Sequence, residues 1–306
     1  SILEMRELIR DQYSHLTAGK SGNGEDVPHF HHRGKGFPVR AGGIMLAAMQ
    51  TFTDLYRYRF ILENLVAKNL KANYRNMSLG LLWSVMNPLV MVVVLSTVWI
   101  GFLGMGWEFP ALFFVAFVPY NYFQYCASGC ANSILGNVSL VKKVAFPRQI
   151  LPISVIFTHL IDFGAQFGLL VLILAFFPHP GRVLGPTLLW LPLVLAVHLG
   201  LCVGFGFLVS ALHVKFRDVR YLVESLFVVL FWASPVIYDT ARVEACGGWV
   251  PWLYHLNPLA GIIQAYRAVL FYGTSPDPLY FGMATLITLV LGAVGVRVFW
   301  IHERSF

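Results

Sequence analysis

Six long apolar stretches set the terms for this chain, at 79–103, 109–127, 150–177, 187–212, 221–237 and 279–300. A helix rising 1.5 Å per residue needs about 20 apolar residues to cross a hydrocarbon core of about 30 Å, and each stretch reaches or approaches that length. With no water to bond the backbone, a segment in lipid must be helical or part of a closed barrel, and runs this continuous are helical. The expected fold class is therefore all-α: a polytopic membrane protein of six transmembrane helices. Charge is spread unevenly around them. Of 22 Lys and Arg residues, all but Arg182, Arg242 and Arg267 fall before the first stretch, between stretches two and three, between four and five, or at the C-terminal end. Lys/Arg-rich loops stay in the cytoplasm, so both termini are expected there.

An apolar content of 57% with 12% charged residues leaves room for one membrane domain and modest appendages. The net charge of +7 follows from basic cytoplasmic loops beside anionic lipid, and nucleic acid is not the expected partner. Cys126, Cys130 and Cys202 fall in or beside spans and Cys246 stands alone outside, so neither a disulfide nor a metal site is expected. The first 50 residues lack the apolar core of a cleavable signal, apart from a short stretch near 44–49.

Three regions are expected. Residues 1–43, rich in Gly, Pro, Lys and His, form a flexible cytoplasmic extension whose His29, His31 and His32 belong to a solvated linker. Residues 44–78 hold an amphipathic cytoplasmic interface helix. There Leu55, Tyr58, Ile61, Leu62, Leu65, Val66 and Leu70 recur at steps of mostly three and four, flanked by Arg57, Arg59, Lys68 and Lys71. Residues 79–306 form the six-span domain.

Catalytic chemistry has little to stand on. Ser14 with Gly19-Lys20-Ser21 imitates the end of a phosphate loop, but the first Gly is missing and no apolar strand precedes it. The chain is expected not to be an enzyme. Inside the spans lie His159, Asp162 and His198. His159 and Asp162 share a helix face, and an intramembrane acid suggests function. A proton relay, a packing contact and the wall of a wet channel are the three readings. The second span is aromatic through its depth, with Phe113, Phe114, Phe117, Tyr120, Tyr122, Phe123 and Tyr125 around Pro119. In the loop after it, Val138–Val144 is expected as a short helix ended by Pro147. After the fifth span, Asn257–Pro258 opens one of two helices too short to cross, re-entrant or lying on the surface. No internal repeat is evident, which weighs against an inverted-repeat carrier.

Several blocks carry a family likeness. Tyr74-Arg75-Asn76-Met77-Ser78-Leu79-Gly80-Leu81-Leu82-Trp83, followed by Asn87-Pro88, resembles the entry to the first span of type-2 ABC exporter permeases. Lys142-Lys143-Val144-Ala145-Phe146-Pro147-Arg148 with Leu151-Pro152 looks like their first coupling segment, and Phe216-Arg217-Asp218-Val219 with Ser234-Pro235-Val236-Ile237-Tyr238 is similar to their fifth-span signature. Asn257-Pro258 matches their outer re-entrant element. The likeness covers about 54–306 and is closest to permeases that export O-antigen or teichoic acid.

The resemblance implies a homodimer in the bacterial inner membrane, working with two copies of a cytoplasmic ABC ATPase. ATP and Mg would sit on that partner, with no cofactor on this chain, and the substrate would be a lipid-linked polysaccharide. Val138, Ser139, Leu140, Lys142, Lys143, Phe146, Pro147 and Arg148 become the ATPase-coupling segment, with the helix at 54–73 as a second docking surface. Phe216, Arg217 and Asp218 mark the other cytoplasmic loop, where Arg217 and Asp218 brace each other or the span ends. Tyr120, Tyr122, Phe123, Phe227, Phe231, Trp232 and Asp162 are channel-lining candidates, and Asn257 and Pro258 outer-gate candidates. Two alternatives remain: a type-2 ABC exporter of a drug or small lipid, and a proton-coupled transporter using His159 and Asp162.

Overall fold

The computed structural model describes residues 56–303 except 76, 78–79, 145 and 177–184. The extension expected at 1–43, with its phosphate-loop mimic and histidines, lies outside the described residues. Among the described residues every regular element is a helix. In chain order they are α1 Arg59–Asn73, α2 Leu82–Leu103, α3 Phe109–Ser133, α4 Val138–Lys143, α5 Ile150–Phe176, α6 Leu191–Lys215, α7 Val219–Ala233, α8 Thr240–Ala245, α9 Val250–His255, α10 Pro258–Arg267 and α11 Pro278–His302.

Four of these are long and apolar enough to cross a membrane: α2, α5, α6 with its leading 3-10 turn, and α11. The other two expected crossings differ for separate reasons. α3 runs 25 residues but is less apolar, with Asn121 and Gln124 along its length. Every residue from Phe109 to Phe123 is buried. A helix wrapped in protein need not match lipid, so polar side chains cost little where they find partners. α7 has only 15 residues, about 22 Å. It stops at Ala233, short of the expected end at 237. Ser234 precedes Pro235, whose ring pushes the residue before it out of the helical region, and Ser234 sits at φ −112, ψ 150.

Two cores hold the helices. The larger surrounds α3 and includes Phe113, Phe114, Leu170, Leu174, Val194, Leu201, Phe227, Ile262 and Tyr266. The smaller joins Ile61 and Leu65 of α1, Leu140 of α4, Ile150 and Leu151 of α5, Phe207 and Ala211 of α6 and Phe299 of α11. It lies where the Lys/Arg-rich loops gather, here called the basic end. α6 and α11 meet backbone to backbone: a Cβ on Gly295 would stand 2.0 Å from the Gly204 carbonyl oxygen. Small residues permit such approaches where lipid supplies no hydrophobic drive between helices.

Candidate functional site

At the far end, the break after α7 leaves backbone groups without helical partners. Irregular backbone inside a bundle persists only when those groups are bonded, and two side chains do this. Asn257 Nδ2 donates to the Ala233 carbonyl (3.3 Å) and to Ser234 Oγ (2.9 Å). Its Oδ1 accepts from the Leu259 and Ala260 amides (3.1 and 3.4 Å), so the same residue caps α10, with Pro258 in the first turn as helix starts favour. Arg267 closes the other side. Its guanidinium, 2% exposed, donates from Nη1 to the Tyr238 carbonyl (2.6 Å) and from Nη2 to the carbonyls of Val236 (2.9 Å) and Leu112 (3.5 Å). Burial pulls its pKa down to about 10, against the opposing pull of Asp239, Tyr272 and Tyr238, so it stays cationic at neutral pH.

Around this clasp the Tyr238 and Tyr254 hydroxyls bond each other, and the Tyr272 hydroxyl donates to Asp239. Burial alone would raise the Asp239 pKa. The Tyr272 hydroxyl, the Arg267 charge, the Thr240 hydroxyl and the Ala241 amide outweigh it and leave the carboxyl below its ordinary value. Arg267 did not stand out in the sequence beyond its sign. An isolated cation within the apolar run 259–271 was the available signal, since such a charge needs partners inside the fold.

Aromatic residues of α3, led by Trp99 of α2, form a ladder. Trp99, Phe109, Phe113, Phe117 and Tyr120 follow one another at centroid distances of 5.7, 6.1, 4.9 and 6.4 Å. α7 meets it edge-on through Phe231 on Tyr120 (5.3 Å) and Phe227 on Phe123 (5.3 Å), and the Tyr120 hydroxyl donates to the Phe227 carbonyl (2.5 Å). The Tyr122 hydroxyl reaches the Ile156 carbonyl at 3.4 Å. Tyr120, Tyr122, Phe123 and Phe227 are thus buried among the helices of this chain, none more than 4% exposed. Phe231 is half-buried, and Trp232 is 62% exposed on the free face of α7 beside Val228 and Val229. His198 is a core residue, with Tyr122, Phe163 and Tyr266 around its ring.

Asp162 is buried and engaged. The Tyr74 hydroxyl donates to its Oδ1 (2.5 Å), and His159 Nδ1 lies 3.0 Å from its Oδ2. Gln166, one turn on, donates to the Ser84 carbonyl (3.1 Å). Together these tie the elbow between α1 and α2 to α5. His159 and Asp162 were legible as a pair; Tyr74 was not seen as their partner, because it lies 88 residues away in sequence.

At the basic end, α4 turns Leu140 into the smaller core and leaves Val138, Ser139, Lys142 and Lys143 exposed. The helix ends at Lys143, where Val144 is extended, before Pro147 is reached. Phe146 packs partly on the same core. Arg148 is half-buried, its Nη1 donating to the Glu303 carbonyl at the end of α11. The Lys68 ammonium donates to Asn137, and burial lowers its pKa. Asn69 reaches Ser154 on α5 at 3.4 Å. In the turn before α7, Phe216, Arg217 and Asp218 are exposed, and the ion pair there is Arg220 with Glu224 (3.0 Å) rather than Arg217 with Asp218.

The sequence that builds this bundle has known relatives. The family model described as ABC-2 type transporter matches residues 62–271. An O-antigen export system permease protein RfbA of Myxococcus xanthus is 30% identical over 260 residues, covering 83% of this chain and 94% of the relative. A Klebsiella pneumoniae protein of the same description is 25% identical over 253 residues, covering 80% of this chain and 93% of the relative. The match runs from within α1 past the Arg267 clasp, and the chain belongs to the ABC-2 type transporter family.

Proposed function

We propose that this chain is the transmembrane subunit of an exporter that carries a lipid-linked polysaccharide of O-antigen type across the bacterial cytoplasmic membrane. Two copies form the permease, and two copies of a separate ABC ATPase supply the energy. The basic end faces the cytoplasm and α9 faces the other side. The chain crosses six times, with α3 as a crossing enclosed by its neighbours and α7 completing its crossing through the clasped segment that follows it. The extension at 1–43 and the interface helix within 44–78 lie on the cytoplasmic side of the domain at 79–306.

The observation that carries the mechanism is the setting of α4. Its inner face is fixed in the same small core as α1, α5, α6 and α11, while Lys142 and Lys143 point away from the protein. A push on α4 therefore reaches three long helices at once. The substrate class is supported by two relatives named for O-antigen export, each matched over more than nine-tenths of its length. Trp232 on the free side of α7 offers the sugar a stacking surface, which suits the apolar faces of pyranose rings.

The test is complementation joined to purification. In cells lacking this chain, surface polysaccharide should disappear and its lipid-linked precursor should accumulate inside; the intact chain should restore export and co-purify with an ATPase. ATPase activity that answers to small amphiphiles but not to glycolipid would reassign the cargo to a drug or small lipid. Active protein with no associated ATPase would overturn the reading altogether.

A further inference from the structure

One face of α9 is left uncovered by every described part of the chain. Trp249, Trp252, Leu253 and Leu256 are 72, 67, 56 and 60% exposed. Their spacing of three, four and seven residues places them on one side of a helix. The opposite side is taken: Tyr254 bonds Tyr238, and the His255 ring lies 4.0 Å from that of Tyr280. Tyr280 stands in the first turn of α11, a helix long and apolar enough to cross a bilayer. α9 is therefore held at the level where α11 enters the hydrocarbon. α11 itself carries an exposed apolar stripe, through Leu279, Leu286, Leu289 and Val290.

We propose that α9 lies in the bilayer interface at the far end, with Trp249, Trp252, Leu253 and Leu256 set among headgroups and upper acyl chains, and that it moors the segment between α7 and α11 to the membrane surface. Indole is the side chain that settles at this depth, apolar in its body with one N–H to bond. Two indoles beside two leucines, with no carboxylate or amide on the face, suit lipid better than sugar, whose hydroxyls need acceptors. A second copy of the chain is the weaker occupant, because four side chains alone fall short of the roughly 800 Å² per partner that a stable interface buries. This inference requires only that α11 cross a membrane, so it stands or falls apart from the identity of the cargo.

The experiment uses the full chain, with its ATPase where one co-purifies, in vesicles of phosphatidylethanolamine and phosphatidylglycerol. Leu253→Cys in a Cys246→Ser background carries an environment-sensitive fluorophore, and Glu244→Cys on exposed α8 serves as the aqueous reference. Lipid spin-labelled near the headgroup should quench the label at 253 several-fold more than that at 244, and aqueous iodide should show the reverse order. Dominant iodide quenching at 253 overturns the proposal and places the face in water, and protection from iodide by added oligosaccharide would assign it to sugar. A label at 253 quenched by neither agent also overturns it, in favour of a second copy.

Discussion

The two ends of the bundle are held by different forces. At the far end, Arg267 and Asn257 bind the backbone of a broken helix through hydrogen bonds of 2.6–3.5 Å. At the basic end, α1 and α4 rest on Ile61, Leu65, Leu140 and Phe299, with ties such as Lys68 to Asn137 at the margin. Directional bonds to buried carbonyls fix one geometry, since a small displacement leaves an acceptor unmet at the cost of its desolvation. Apolar contact beside water is non-directional. The far end is built to keep one shape; the basic end is built to stay together while its parts shift.

That contrast is open to attack, beginning with its strongest element. Arg267→Leu strands up to three buried carbonyls and should destabilise the protein by about 3–5 kcal/mol, read as a large fall in melting temperature in detergent. A melting curve like that of the parent would mean the clasp is ornamental. Leu65→Ala should cost about 2–4 kcal/mol, confined to the basic end. Amide exchange should rise across 59–73 and stay unchanged across 234–267; a rise in both would show the two ends to be one cooperative unit. Asn257→Ala removes a cap and a bridge and should cost about 1–2 kcal/mol, with exchange rising at 233–236 and 258–260 together.

Acid should act on the far end through Asp239. Asp239 is held below its ordinary 3.8. A depressed carboxyl contributes stability above its unfolded value and loses it as the pH falls through the folded one. Asp239→Asn should flatten the loss of melting temperature below about pH 4; an unchanged acid limb would remove Asp239 from the clasp. The smallest effect on stability belongs to Lys142→Glu with Lys143→Glu, within about 0.5 kcal/mol because both side chains are solvated. The same variant should lose the co-purifying ATPase, and retention of that partner would take α4 out of the docking surface.

What was legible in the sequence follows from which surfaces meet lipid. α2, α5, α6 and α11 expose apolar side chains and so announce themselves by composition. α3 was found through its aromatic run, but its last turns were not. Ser128–Ser133 is small and partly polar, and only the neighbouring helices make it a good place for a helix to continue. The break in α7 was hidden because Ser234–Ile237 is as buried as a span, and the partner that makes its irregular backbone tolerable, Arg267, lies 33 residues beyond Ser234. Asn257–Pro258 was read correctly as a helix start, since its cap is local. Aromatic identity in α3 and α7 did not say which side faced a passage: residue type reports packing energy, while the side is set by which neighbours arrive. For Arg148, likewise, the sequence shows the charge but not the Glu303 carbonyl it reaches, 155 residues on.

The contact of Gly204 with Gly292 and Gly295 bears on motion. At that contact no side chain separates α6 from α11, and nearer the basic end Phe207 stacks on Phe299 at 5.0 Å, so the pair has little room to slide or roll. Whatever rearrangement opens a route across the membrane must carry the pair as a keel. The freedom then falls to α2 and α7, whose outer faces the described residues leave bare. An inhibitor meant to freeze the transporter would gain little by wedging at the keel, which is already still, and most by bridging those two helices.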